Sequence, residues 1–196
     1  MAQLFFHFGT MNCGKSIEIL KVAHNYREQG KEVLLFSSGL DNRFGEGVIA
    51  SRIGISESCY LFDGLNSNNL YCVLVDECQF LTEEQVNQLT DIVDIYNIPV
   101  MAFGLSTDFQ SNLFVGSKRL FEVADKINPI KTVCWLCDKK ANFNLRVIVN
   151  KAVFDGDQIA VGLNGDVVNE SDIGYYPVCR KHYKEAKQGK ELFNNI

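Results

Sequence analysis

The chain has 196 residues, 46% of them apolar and 22% charged, with a net charge of -5 and a pI near 5.2. That length allows one ordinary core, or a core with a small satellite, and the acidic balance argues against a nucleic-acid-binding surface as the main role. The opening MAQLFFHFG is too short an apolar run to span a bilayer and lacks the basic start and cleavage site of a signal peptide, so the expected location is the cytoplasm, away from membranes.

In chain order, residues 3–8 (QLFFHF) read as a buried strand. Ile17, Leu20, Val22 and Ala23 recur near helical spacing over residues 16–29, with Gly30 as a stop. Residues 33–36 and 71–75 are two further apolar runs, the second ending on Asp76-Glu77. Thr82 followed by Gln85 is a capping-box signal for a helix to about residue 96, and Pro99 introduces a strand over 100–103. Continuous rather than alternating apolar strands, interleaved with helices, predict a parallel sheet covered on both faces. Residues 37–58 are rich in Gly, Ser, Arg and Asp and carry no sustained period, so they read as a functional lid or as disorder. After about residue 128 the texture changes. Short segments such as 145–149 and 158–161, separated by Asp155-Gly156 and Asn164-Gly165, read as hairpins of a small β module. The expected division is a nucleotide-binding α/β domain over 1–128 and a second module over 129–196.

Gly9-Thr10-Met11-Asn12-Cys13-Gly14-Lys15-Ser16 matches G-x-x-x-x-G-K-[ST] in full, between a predicted strand and a predicted helix. Backbone amides of such a loop surround phosphate oxygens, aided by the positive end of the helix. Lys15 then bridges the β- and γ-phosphates and the Ser16 hydroxyl helps to ligate Mg²⁺. Asp76 and Glu77 fall at the carboxyl end of a buried strand, where open α/β sheets bind ligands. Asp76 suits Mg²⁺. Glu77 beside it could orient a nucleophile and accept its proton, whether that nucleophile is water or a substrate hydroxyl.

The seven cysteines are Cys13, Cys59, Cys72, Cys78, Cys134, Cys137 and Cys179. Several lie in apolar runs, and with no secretory signal a disulfide framework is not expected. Cys134-x-x-Cys137 and Cys179-x-x-His182 form two close pairs with zinc-ligand spacing. Four protein ligands leave no position for water, so the predicted role is structural, a staple for a module too small for its own core.

Together these residues resemble the type II, or cellular-type, thymidine kinases, most closely the bacterial branch. The matching segments are MNCGKS (11–16), DNRFGEG with SRIG (41–54), VLVDECQFLT (73–82), GLSTDF (104–109) and VCRKHYKEA (178–186). The resemblance implies a RecA-like P-loop domain and transfer of the γ-phosphoryl of ATP to the 5′-hydroxyl of thymidine, with Glu77 as the base. Nucleotide contacts are then expected from residues 9–16, from Asp76, Glu77, Cys78 and Gln79, and from Arg43. The nucleoside is expected against Met11, Phe80, Leu105, Phe109 and Tyr175, and against a lasso-like loop that includes Asp166, Val167, Val168, Asn169 and Glu170. The family pattern also implies feedback inhibition by dTTP and a homotetramer. Two positions depart from it: Glu170-Ser171 replaces a glycine pair in the lasso, and Ser106 stands where bacterial relatives have arginine.

Two rival readings remain. A P-loop ATPase or helicase piece would use the same acidic pair, although 196 residues at a net charge of -5 lack a tandem motor and a basic track. A zinc-ribbon binding module leaves the phosphate loop and Asp76-Glu77 unexplained. A GTPase is excluded by Asn150-Lys151-Ala152-Val153, which breaks the guanine motif.

Overall fold

The computed structural model of the chain describes residues 1–37, 48–50, 56–58, 60–61, 70–158 and 173–193. The chain forms two compact units. The first comprises Met1–Phe8, Gly14–Ser106 and Phe114–Ile130, and the second Gly9–Cys13, Thr107–Leu113 and Lys131–Ile196.

The first unit begins with β1 (Leu4–Gly9), α1 (Lys15–Glu28) and β2 (Glu32–Ser37). Short strands β3 (Val48–Ala50) and β4 (Ser56–Ser58) pair antiparallel within the stretch read from sequence as lid or disorder, followed by β5 (Tyr60–Leu61). Then come β6 (Leu70–Asp76), a 3-10 turn (Cys78–Phe80), α2 (Glu83–Asp94), β7 (Val100–Leu105), α3 (Val115–Val123) and β8 (Lys126–Pro129). Among the described residues, six strands form a parallel sheet in the order β5-β2-β6-β7-β1-β8.

Residues of β6 divide between two buried clusters. Val73 and Val75 pack with Val86, Leu89 and Ile92 of α2 and with Leu120 of α3. Cys72 and Leu74 pack with Ile19, Leu20 and Ala23 of α1. Helices therefore cover both faces, which is why the strands read as continuous apolar runs. Burying each such Val or Leu contributes about 1.5–3 kcal/mol, so the sheet is the rigid part on which the acidic pair is mounted.

α2 starts as expected: Gln85 N–H donates to Thr82 Oγ1 at 3.2 Å and Thr82 N–H to Gln85 Oε1 at 2.9 Å. It stops at Asp94, slightly earlier than expected, because Asn97 turns the chain at φ 53 before Pro99. α3 carries Gly116 at its second residue. A Cβ there would lie 2.4 Å from the Cys78 carbonyl oxygen and 2.8 Å from that of Leu81. Both are backbone atoms with no side-chain freedom to yield, so only glycine lets α3 seat on the turn after Glu77. Gly116→Ala is expected to destabilise the protein by about 1–3 kcal/mol, read as a fall in Tm of about 2–4 °C per kcal/mol in a thermal melt.

The second unit contains a hairpin of β9 (Thr132–Val133) and β10 (Lys140–Ala141). It also has a three-stranded antiparallel sheet in the order β12-β11-β13, from β11 (Phe143–Ile148), β12 (Lys151–Val153) and β13 (Ile173–Val178), and the helix α4 (Arg180–Lys187). Its core gathers Leu145, Val147, Tyr176, Val178, Tyr183 and Phe193 together with Cys134 and Cys179. Tyr183 stacks on Phe143 at 4.7 Å, and its hydroxyl donates to the Phe109 carbonyl at 2.7 Å. No helix among the described residues is long and apolar enough to cross a membrane.

Candidate functional site

The loop over residues 9–14 joins β1 to α1 with two left-handed residues, Asn12 at φ 61 and Gly14 at φ 90. Gly14 is the N-cap of α1 and no side chain caps it; its carbonyl accepts from Ile17 and Glu18 N–H at 3.1 and 3.0 Å. A first turn without a side-chain cap presents amide donors to an anion, and Lys15 at the head of α1 is buried. These features suit a phosphate ligand. The Met11 N–H donates to Asn144 Oδ1 at 2.8 Å, so this amide of the loop is committed to β11.

In the first unit, Asp76 ends β6 and is buried, and its Oδ1 accepts from Glu77 N–H at 2.9 Å. Glu77 is half-buried and sits at φ 51, ψ 37, a left-handed conformation that costs a non-glycine residue and is concentrated at functional positions. Its carboxylate accepts from Gln79 Nε2. Cys78 and Gln79 are both buried. Burial first, then the negative charges of Asp76 and Glu77, push the Cys78 thiol well above its ordinary range against the opposing pull of Lys15. Lys15, Asp76 and Glu77 thus share one electrostatic neighbourhood, and Cys78 within it stays a neutral thiol, neither nucleophile nor metal ligand. Phe80 is half-buried, its ring edge-on to Phe114 at 5.7 Å, and Leu105 is half-buried at the end of β7.

In the second unit, Cys134 and Cys137 lie on the turn between β9 and β10, closed by Cys134 N–H donating to Lys139 O at 2.7 Å. Cys179 is the N-cap of α4 and His182 stands one turn on, which places both on one side of the helix start. The four ligand atoms all lie within 4.8 Å of one another. Cys134 Sγ is 3.3 Å and Cys179 Sγ 3.5 Å from His182 Nδ1, and Cys137 Sγ is 3.8 Å from Cys179 Sγ. Zinc bonds of about 2.3 Å to sulfur and 2.0–2.1 Å to nitrogen give a tetrahedron with edges of about 3.8 Å (S···S) and 3.6 Å (S···N). The donor set and its spacing therefore fit Zn²⁺. Burial resists ionisation of the Cys179 thiol, but the backbone N–H of His182 and the neighbouring Cys137 and Cys134 lower its pKa, whereas burial raises that of Cys134, so the fit to Zn²⁺ rests on the donor set and its spacing.

Two buried polar residues of this unit were not singled out from the sequence. Asn144 Nδ2 donates to Thr107 O at 3.2 Å, while its Oδ1 takes the Met11 amide. The guanidinium carbon of Arg146 lies 3.5 Å from the centre of the Phe109 ring; Arg146 also donates to the Tyr175 hydroxyl at 3.0 Å and to Asp157 O at 2.6 Å. Arg146 therefore ties together Phe109, which is buried, and Tyr175, which is half-buried. The signal was present: in Phe143-Asn144-Leu145-Arg146-Val147, two polar residues at strand spacing interrupt an apolar run. Asp108, also buried, accepts from Gln110 and Asn112 N–H at 2.9 and 2.8 Å and from Gln158 Nε2 at 2.9 Å, fixing the loop that carries Phe109. Arg43, Asp166, Val167, Val168, Asn169 and Glu170 lie outside the described residues.

A parallel sheet flanked by helices with an acidic pair at one strand end, and a Cys₃His cluster elsewhere in the chain, define an α/β protein with a candidate structural metal centre. The family model described as Thymidine kinase matches residues 2–183. A thymidine kinase of Enterococcus faecalis is 52% identical over 97% of this chain and 99% of its own length. Those of Lactococcus lactis and Lactiplantibacillus plantarum are 53% and 52% identical, each over 93% of this chain and over 97% and 96% of their own lengths. The chain belongs to the thymidine kinase family.

Proposed function

We propose that this chain is a type II thymidine kinase that transfers the γ-phosphoryl group of ATP to the 5′-hydroxyl of thymidine, giving dTMP and ADP. The observation that carries the reading is the match to thymidine kinases over nearly the whole chain. In this reading residues 1–128 form a P-loop, RecA-like domain and residues 129–196 a zinc-binding lasso module.

The phosphates of ATP lie against the amides of the loop formed by residues 9–16, with Lys15 compensating charge on the γ-phosphoryl. Asp76, Glu77, Cys78, Gln79 and Arg43 complete the nucleotide set, Cys78 and Gln79 by backbone groups because their side chains are buried. Mg²⁺, when bound, neutralises charge between the β- and γ-phosphates, and the Ser16 hydroxyl and Asp76 carboxylate are hard oxygen donors suited to it. Glu77 takes the proton of the 5′-hydroxyl as that oxygen attacks the γ-phosphorus and the bond to the β-phosphate oxygen breaks. Met11, Phe80, Leu105, Phe109 and Tyr175, with backbone groups of residues 166–170, enclose thymidine. Arg146 supports this by holding Phe109 and Tyr175. A structural zinc on Cys134, Cys137, Cys179 and His182 holds the end of that loop. The same reading carries inhibition by dTTP, a homotetramer and a cytoplasmic location.

ADP release, measured with each nucleoside in turn and with single-stranded DNA, tests the reading. Turnover is expected to depend on thymidine. Hydrolysis without a nucleoside, or stimulation by DNA, overturns it in favour of an ATPase. Lys15→Ala is expected to abolish phosphoryl transfer by removing the cation that supports γ-phosphoryl charge. Loss of thymidine affinity with kcat intact would instead take Lys15 out of the phosphate site.

A further inference from the structure

Gln79 is 2% exposed and follows the acidic pair by two residues, in the 3-10 turn. Its Oε1 accepts the Leu105 N–H at 2.9 Å. A backbone N–H only donates, so this contact fixes which end of the amide is oxygen and leaves Nε2 to face Glu77. There Nε2 donates to Glu77 Oε2. The Leu105 carbonyl in turn accepts from Ser117 Oγ at 2.5 Å, and Ser117 is fully buried in α3. A chain of hydrogen bonds thus runs from α3 through the end of β7 to the carboxylate.

The packing around this hydrogen-bonded chain is close. A Cβ at Gly104 would lie 2.6 Å from Gln79 Oε1 and 2.7 Å from Cys78 Sγ, so β7 comes this close to Gln79 only because position 104 is glycine. Gly116 meets the same requirement from the α3 side, against the Cys78, Leu81 and Gln79 carbonyl oxygens. Glu77 itself is held in the left-handed region, which points its side chain by constraint rather than by preference.

We infer that Gln79 is a positioning residue: its carboxamide, clamped by Leu105 N–H, holds the Glu77 carboxylate in one orientation for proton abstraction from the substrate hydroxyl. The inference rests on the reading of Glu77 as the base. A glutamate at position 79 would keep the acceptor for Leu105 but set a carboxylate against a carboxylate, so the amide is the side chain that serves both neighbours. A carboxylate free to rotate spends part of its time out of line, and such misplacement lowers kcat without touching binding.

The test is a double-mutant cycle read in steady-state kinetics with ATP and thymidine. Gln79→Met, close in shape and without either hydrogen bond, is expected to lower kcat about tenfold or more while both KM values stay within about twofold. In the Glu77→Gln background the same change is expected to cost less than about twofold, because there is no carboxylate left to position. Gln79→Glu, which keeps the Leu105 contact, is expected to lower kcat as well, and it carries the test if a thermal melt shows Gln79→Met unfolded. Parent turnover in both single variants overturns the inference, as does a loss that multiplies with that of Glu77→Gln. A raised KM for ATP at unchanged kcat overturns it in favour of a direct nucleotide contact. Should Glu77→Gln itself turn over like the parent, the base assignment falls and the inference with it, a result distinct from the others.

Discussion

Replacing Glu77 with glutamine is expected to lower kcat by at least about 100-fold, with KM for ATP and thymidine within about threefold of the parent values. The amide keeps the size of the side chain and can turn its oxygen toward Gln79 Nε2, so the hydrogen bond that anchors position 77 survives. What disappears is the capacity to accept a proton. General-base catalysis contributes about 100- to 10,000-fold, or about 2.7–5.4 kcal/mol of barrier. Loss of a ground-state contact would appear as a raised KM instead, so the split between the two parameters identifies the role. Steady-state rates at saturating ATP and thymidine decide it. Parent turnover would remove Glu77 from the chemistry and leave its left-handed backbone without a functional reason.

The sheet was legible because its inner strands are largely buried: β2, β6 and β7 appear in the sequence as apolar runs, β1 as a run rich in phenylalanine, and the capping pair Thr82 and Gln85 marks α2. The same local signals fail for α3. Its N-cap is Phe114, which offers no cap, and its second residue is Gly116, a poor helix former kept by the close approach to the Cys78 carbonyl. The β11–β12 hairpin was missed for a similar reason. It closes over Val149 and Asn150 at φ 47 and φ 60, and a β-branched residue is the last expected in a turn that needs positive φ. Turn chemistry pointed to Asp155-Gly156 instead, and Gly156 does turn, at φ 105, but after the hairpin has closed.

Motifs that are local in sequence, such as the two cysteine pairs that the structure brings together, could be read directly. Links made by single side chains across the chain could not. Asn144 reaches Met11 over 133 residues, and Gln79 reaches Leu105 over 26. Both are buried amides with both ends engaged: Asn144 meets a backbone group at each end, and Gln79 meets the Leu105 N–H at one end and the Glu77 carboxylate at the other. In the sequence Asn144 is an ordinary polar position and Gln79 is marked only as a nucleotide contact implied by resemblance, since the partners of both are fixed by packing and not by spacing.

The second large effect is expected from removing zinc, and it reaches further than the ligand spacing alone implied. Spacing alone made the metal a structural staple for a small module. Cys134 and Cys179, however, belong to the same buried cluster as Leu145, Val147, Tyr176 and Tyr183, so a zinc held by them would be part of the core of the second unit. Structural zinc contributes about 10–16 kcal/mol in small modules, against about 5–15 kcal/mol for the whole net stability of an ordinary domain. Without metal this unit is expected to unfold. Asn144, on β11 beside Leu145, then releases the Met11 amide of the phosphate loop and the Thr107 carbonyl, so nucleotide affinity falls along with thymidine affinity. The one tryptophan of the chain reports the event: Trp135 lies between ligands Cys134 and Cys137, edge-on to Tyr176 at 5.3 Å, with its N–H on Pro177 O at 2.8 Å. Cys137→Ala, or exhaustive chelation, is expected to remove about one zinc per chain on this ligand count. The Trp135 emission should shift at the same chelator concentration at which thymidine and ATP binding are lost. Emission and both affinities unchanged in metal-free protein would show that the unit holds its shape without zinc. Loss of thymidine binding alone would show that the Asn144 bonds survive and that the metal acts only on the nucleoside side.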